Sequence, residues 1–253
     1  MPVYRERIDS LERLSLEQAS RRLGGFPCVV LAPEGLDVHA YKDVLGDCEV
    51  RTLDPRWFRD VRSYNALMLN AAIYSRFADH EFILIYQTDA FAFSDQLAAW
   101  CAADLDYVGA PFWAEYGVRK DLGMVAVGNG GFSLRRVEAF LRVLTMPRWS
   151  RVSRQLRAAR IHGWPEDYFW GERPELRVAT IDEAVPFAFE TGLEYLRDAY
   201  REKVPFGCHA NWNLAYIDAL RRGSWATPVP GMADRDGDYQ HVLRNLLARS
   251  GNL

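Results

Sequence analysis

The chain has 253 residues, 49% of them hydrophobic, 13% aromatic and 26% charged, which excludes a disordered polymer and suffices for one sizeable core. Its net charge of −3 excludes a global positive field of the kind that recruits nucleic acid. No apolar stretch approaches the roughly 20 residues that cross a bilayer, and the opening residues carry no signal-peptide core.

In chain order, Ser15 and Gln18 have the spacing of a capping box, which predicts a short helix stopped at Gly24-Gly25. Cys28 to Ala32 is an apolar run cut off by Pro33, a predicted buried strand. Over residues 63–77, Ala66, Leu69, Ile73 and Phe77 recur at helical spacing. Phe82 to Tyr86 is apolar on both alternating faces, as in a central strand covered on both sides. Ser94 is placed to cap a helix reaching Cys101, and Tyr107 to Ala110 reads as a strand ended by Pro111.

Residues 125–127 then lead into Gly128-Asn129-Gly130-Gly131, a strand from Phe132, and a helix over 137–144. Arginines stand at 148, 151, 154, 157 and 160. Further helices are expected over 213–221 and 238–249, with a turn at 227–231 between them. Strand and helix alternate through the first 145 residues, which predicts an α/β fold with a mainly parallel sheet flanked by helices. The second half is more irregular. Cys28, Cys48, Cys101 and Cys208 form no CxxC pair, so free thiols are expected rather than structural zinc or a disulfide framework.

Four segments carry residues suited to chemistry. Gln87-Thr88-Asp89 ends the best strand, where open α/β sheets place their ligands. Asp89 there can hold a divalent cation that bridges diphosphate oxygens, or can serve as a helix cap. The three glycines around Asn129 imply unusual torsions or close approach to a ligand, and their spacing is not a dinucleotide fingerprint. Glu166 and Asp167 sit among Trp164, Tyr168, Phe169 and Trp170. Apolar surroundings raise carboxylate pKa values, which suits a general base, and the rings can stack on a sugar, but the pair can equally cap a helix. His209, in Phe206-Gly207-Cys208-His209, is either a metal ligand or a structural histidine. The arginine series spreads over a broad helical face, either solvated or turned toward an anion.

The order of these motifs resembles a bacterial family of glycosyltransferase-like domains: residues 63–65, then 82–89, Val108-Gly109-Ala110-Pro111, the GNGGFSLRR run, Pro165-Glu166-Asp167 and FGCH. The pattern is similar to sugar-nucleotide-dependent glycosyltransferases of GT-A fold, particularly the β-1,4-galactosyltransferase type. The resemblance spans roughly residues 25–215. It implies one GT-A-like domain over 1–253, with a Rossmann-like nucleotide-sugar half at about 25–135, an acceptor half at about 136–215 and a helical tail over 216–253.

Carried over by position, the resemblance makes Asp89 and His209 the ligands of Mn²⁺ or Mg²⁺, and Asp167 or Glu166 the catalytic base. Asn65, Gln87, Thr88, Asp89, Asn129, Gly130, Gly131 and Trp164 would contact the donor or substrate. Gln87 stands where the family's first metal-binding acid is found. The implied activity moves a sugar from a nucleotide diphosphate donor to a hydroxyl of a glycan or lipid-linked acceptor, by inversion. The implied setting is the cytoplasm or the inner face of the membrane, with no nucleic-acid partner. Two rival readings are a nucleotidyltransferase, disfavoured because Leu31-Ala32-Pro33-Glu34-Gly35 offers no basic phosphate loop, and a sugar- or nucleotide-binding module without catalysis.

Overall fold

The computed structural model describes residues 1–113, 124–190 and 204–210. Helix α1 (Ser10–Leu23) leads into β1 (Val29–Pro33), α2 (His39–Leu45), β2 (Glu49–Leu53) and, after a 3₁₀ turn, α3 (Val61–Met68) and α4 (Ala71–Ser75). Next come β3 (Phe82–Tyr86), β4 (Phe91–Ala92), α5 (Leu97–Cys101), β5 (Tyr107–Gly109), β6 (Pro111–Trp113), β7 (Met124–Val127) and β8 (Phe132–Arg136). The described chain continues through α6 (Val137–Leu144), α7 (Arg151–His162), α8 (Glu166–Gly171), α9 (Ile181–Ala184), β9 (Ala188–Phe189) and β10 (Gly207–Cys208). The predicted segments at 213–221, 227–231 and 238–249, with the tail over 216–253, lie outside the described residues.

The sheet is more mixed than the mainly parallel one expected. Strands β1 and β2 pair in parallel, as do β9 and β10, but β8 runs antiparallel between β3 and β5. The cause is the connection. Strands β5 and β6 return through β7 and β8 with no described helix between β5 and β6 or between β7 and β8, and a ribbon folded back on itself is antiparallel. Within this ribbon Gly109 pairs with Ser133 and Pro111 with Val127, so Ala110 alone faces the stretch 128–132. The glycine run is thus a wide bulge, and bulges re-aim chain toward neighbouring groups.

Strand β3 is covered on both faces, as its composition requires. Ile83 and Ile85 pack with Leu67, Met68, Phe140 and Trp170 on one side, while Phe82, Leu84 and Tyr86 pack with Phe132, Leu134 and Phe187 on the other. The expected helix over 63–77 is two helices: Asn70 caps the second by accepting from the Ala72 amide at 3.0 Å. The first helix begins earlier than predicted, at Asp9, whose carboxylate caps it in a box with Glu12. Ser15 and Gln18 serve a tertiary purpose instead. The Ser15 hydroxyl donates to the Ala90 carbonyl, and Gln18 Nε2 donates to that of Ala92 at 2.9 Å. All four cysteines are free, with Cys208 buried.

Candidate active site

Three short strands converge beyond the carboxyl end of β3. Cys208 pairs with Phe91 on β4 and Phe189 on β9, so His209, Glu190 and the 87–90 turn become neighbours. His209 Nδ1 lies 2.9 Å from Glu190 Oε1, and Nε2 lies 3.2 Å from Asp89 Oδ1 and 3.0 Å from Gln87 Oε1. Burial alone would lower the imidazole pKa, but the hydrogen bonds and charges of Asp89 and Glu190 outweigh it and raise the value to about 10. Burial would raise Asp89, and the bond and charge of His209 more than offset that, holding the carboxyl below its usual range. Immediately after His209, Ala210 has φ 60, a conformation that non-glycine residues rarely adopt.

The bulge joins this cluster to the acids of α8. The Gln87 amide donates to the Gly131 carbonyl at 2.9 Å. Asn129 Nδ2 donates to Glu190 Oε2 at 2.5 Å, while Asn129 Oδ1 accepts from the Gly131 amide at 3.2 Å. A methyl group at Gly131 would collide with the His209 ring, and one at Gly130 with Glu166 Oε1. Close approach therefore explains both glycines.

Glu166 and Asp167, adjacent in sequence, have opposite environments. Glu166 is buried in a two-pronged pair with Arg135: Nη2 donates to Oε1 at 2.8 Å and Nη1 to Oε2 at 3.0 Å. Arg135, itself fully buried, also donates to the Tyr74 hydroxyl at 2.8 Å and to Ser133 Oγ at 3.1 Å. Both oxygens of the carboxylate are engaged by the guanidinium, which leaves Glu166 tied to Arg135 rather than free to meet an acceptor hydroxyl. Asp167 has no such cation in contact among the described residues. Its Oδ1 accepts from the Tyr168 amide at 2.9 Å and its Oδ2 from the Gly130 amide at 3.3 Å. Burial first, and then the Glu166 charge, raise its pKa to about 7.

The other expected contacts are dispersed. The buried Thr88 hydroxyl turns away and donates to Glu12 Oε1 at 2.6 Å, a carboxylate that also meets Arg5 Nη2 at 2.6 Å. Asn65 is buried on α3, and its side chain makes no hydrogen bond among the described residues. Trp164 is half exposed at the entrance to α8. Sequence reasoning did not single out Tyr64, Arg135 or Glu190. The Tyr64 hydroxyl is buried near Gln87, and burial followed by the Glu166 charge pushes its pKa up to about 12. The available signals were a basic residue within the apolar Phe132–Leu134 strand continuation, and an acid directly after Ala188-Phe189.

Among the described residues no three of His, Cys, Asp and Glu converge as a metal cage. Donors that suit a hard cation are Asp89 Oδ1, Gln87 Oε1 and His209 Nε2. Ligands about 2.1 Å from one octahedral ion stand about 3 Å apart, which matches the 3.0 and 3.2 Å separations from Nε2 once that nitrogen gives up its proton.

Residues 47–209 match the family described as "Protein of unknown function (DUF5672)". The chain belongs to that family. No curated protein matches it. Among solved structures, the chain is similar to galactosyltransferase LgtC in complex with donor and acceptor sugar analogues, at 12% identity and a TM-score of 0.52, covering 100% of this chain and 96% of that one. It is also similar to an active-site mutant of LgtC, at 12% identity and a TM-score of 0.50, covering 91% of this chain and 99% of that one. The fold is α/β of the GT-A type, with a glycosyltransferase-like architecture. No helix among the described residues is long and apolar enough to cross a membrane.

Proposed function

We propose that this protein is a glycosyltransferase that moves a sugar from a nucleotide diphosphate donor to a hydroxyl of a glycan or lipid-linked acceptor, with Asp167 as the base. Asp167 carries this reading: its pKa near 7 lets it accept a proton at neutral pH, and it sits on the Gly130 amide beside the Asp89–His209 cluster. The GT-A fold shared with a galactosyltransferase solved with sugar analogues supports it. In this reading residues 25–135 form the donor half and 136–215 the acceptor half.

Asp167 takes the proton from the acceptor hydroxyl as that oxygen bonds to the anomeric carbon. The bond from that carbon to the diphosphate oxygen breaks, and the configuration inverts. Arg135 and Glu166 hold the start of α8 against β8, which fixes where Asp167 stands. Gly131, having no side chain, leaves room for the His209 ring next to the donor. Asp89, Gln87 and His209 are the residues that would hold Mn²⁺ or Mg²⁺, which when bound neutralises charge on the leaving diphosphate.

A rival reading as a non-catalytic binding module gains support from one observation, that acids engage both ring nitrogens of His209. A thermal-shift screen of nucleotide diphosphates and nucleotide sugars, with and without Mn²⁺, tests for the donor site. Sugar-nucleotide hydrolysis by the wild type and by Asp167→Asn then separates the two readings. Transfer or hydrolysis that disappears in the variant, with nucleotide binding kept, supports the enzyme. Undiminished turnover removes Asp167 from the role, and silence across the whole panel counts against both readings.

A further inference from the structure

Between Glu138 and Glu166 the sequence contains no acidic residue and six arginines, at positions 142, 148, 151, 154, 157 and 160. In a chain of net charge −3 this is a strong local reversal of sign. Two of the six have structural partners. Arg142 approaches Asp106 at 3.8 Å, and Arg160 Nε donates to the Leu69 carbonyl at 2.9 Å. The other four, Arg148, Arg151, Arg154 and Arg157, are exposed and form no ion pair among the described residues.

Helix α7 divides its surface accordingly. Val152, Leu156 and Ala159 are buried, and the helix packs against α6 and α8. At 100° per residue, Arg151, Arg154, Arg157 and Ile161 fall together on the opposite arc. That arc carries positive charge and ends in apolar groups. Trp149 just before the helix is 81% exposed, Ile161 in its last turn 58%, and Trp164 just beyond it 49%. The Arg62 guanidinium donates to the Ile161 carbonyl, which brings the neighbouring Val61, 76% exposed, to the same end. Helix α7, which lies between Trp149 and Trp164, is roughly 18 Å long at 1.5 Å per residue.

We propose that the outer face of α7 is a docking surface for an anionic lipid bilayer, with its arginines on the headgroups and Trp149, Ile161 and Val61 entering the interface. Charge complementarity fixes the sign of the partner. The aliphatic pair separates a bilayer from nucleic acid, because Ile161 and Val61 gain from contact with acyl chains and nothing from base stacking. This surface leads through Trp164 and Pro165 straight into the Glu166–Asp167 turn, so it brings the acid pair next to the headgroup region where a lipid-linked acceptor would lie. The proposal itself does not depend on sugar transfer.

The test is flotation of the full chain with phosphatidylglycerol–phosphatidylcholine vesicles and with pure phosphatidylcholine vesicles. The wild type floats with the first and not the second, and high salt releases it. Each arginine near an anionic surface contributes roughly fivefold, so Arg151→Gln, Arg154→Gln and Arg157→Gln combined lower the partition coefficient about a hundredfold. Trp149→Ser, which keeps every charge, produces a several-fold loss, and both variants keep the wild-type melting temperature. Failure of the wild type to float on anionic vesicles overturns the proposal, as does flotation of the triple variant at wild-type level. Arginine-dependent binding of an RNA oligonucleotide without flotation assigns the face to nucleic acid and likewise overturns it.

Discussion

Replacing Asp167 by Asn tests the claim that this carboxyl is strained toward its neutral form. Its pKa moves from an ordinary 3.8 to about 7, by burial first and by the Glu166 charge second. Below about pH 4 both the folded and unfolded chains carry the proton, and the group has no effect on stability. As pH rises from 4 toward 7, the unfolded chain loses its proton while the folded one keeps it, so folding stability falls across that window and stays low above it. Three pKa units correspond to about 4 kcal/mol, which partial exposure reduces. Asparagine resembles the protonated carboxyl but offers one fewer acceptor to the Gly130 and Tyr168 amides, a loss of about 1 kcal/mol. Asp167→Asn is therefore expected to match the wild type at pH 5 and to exceed it by roughly 2 kcal/mol at pH 8. Urea unfolding at the two pH values measures the difference. Equal stability differences at pH 5 and pH 8 would refute the reasoning, since a pH-independent effect cannot come from this proton. In the wild type the same group predicts a transfer rate that rises with pH through a midpoint near 7.

Other outcomes follow from the same contacts. Glu166→Ala leaves Arg135 buried without its carboxylate, and chemical unfolding should show a loss of about 3–5 kcal/mol. Glu12→Ala removes the acceptor of both Thr88 and Arg5, so it should lower the melting temperature and weaken nucleotide binding together; a change in neither would uncouple α1 from the site. The pKa of His209 near 10 means that a metal must displace a proton, so Mn²⁺ affinity measured by titration calorimetry should rise about tenfold per pH unit through neutrality. A pH-independent affinity would show that His209 is not a ligand.

What could be read in advance, and what could not, follows from how far each determinant lies along the chain. Strand β3 and helix α6 appear at their predicted bounds because both are set by apolar patterns within five to eight residues. The difference between Glu166 and Asp167 is invisible locally. Either can serve as a base until Arg135, 31 positions earlier, is seen to engage one of them. Glu190 escaped notice for a similar reason, since only strand pairing sets it beside His209.

The start of α1 shows the same competition most sharply. Asp9 with Glu12 and Ser15 with Gln18 are both capping patterns, and local propensity does not rank them. The fold decides by giving Ser15 and Gln18 a different use, on the carbonyls of Ala90 and Ala92, while Glu12 reaches Thr88. Three side chains of one helix thereby hold the turn that presents Gln87 and Asp89. That helix precedes the family match at residue 47, so the geometry of the most informative motif depends on a segment outside the matched region. Capping and buttressing draw on the same short polar residues, and in α1 only tertiary contacts separate the two functions.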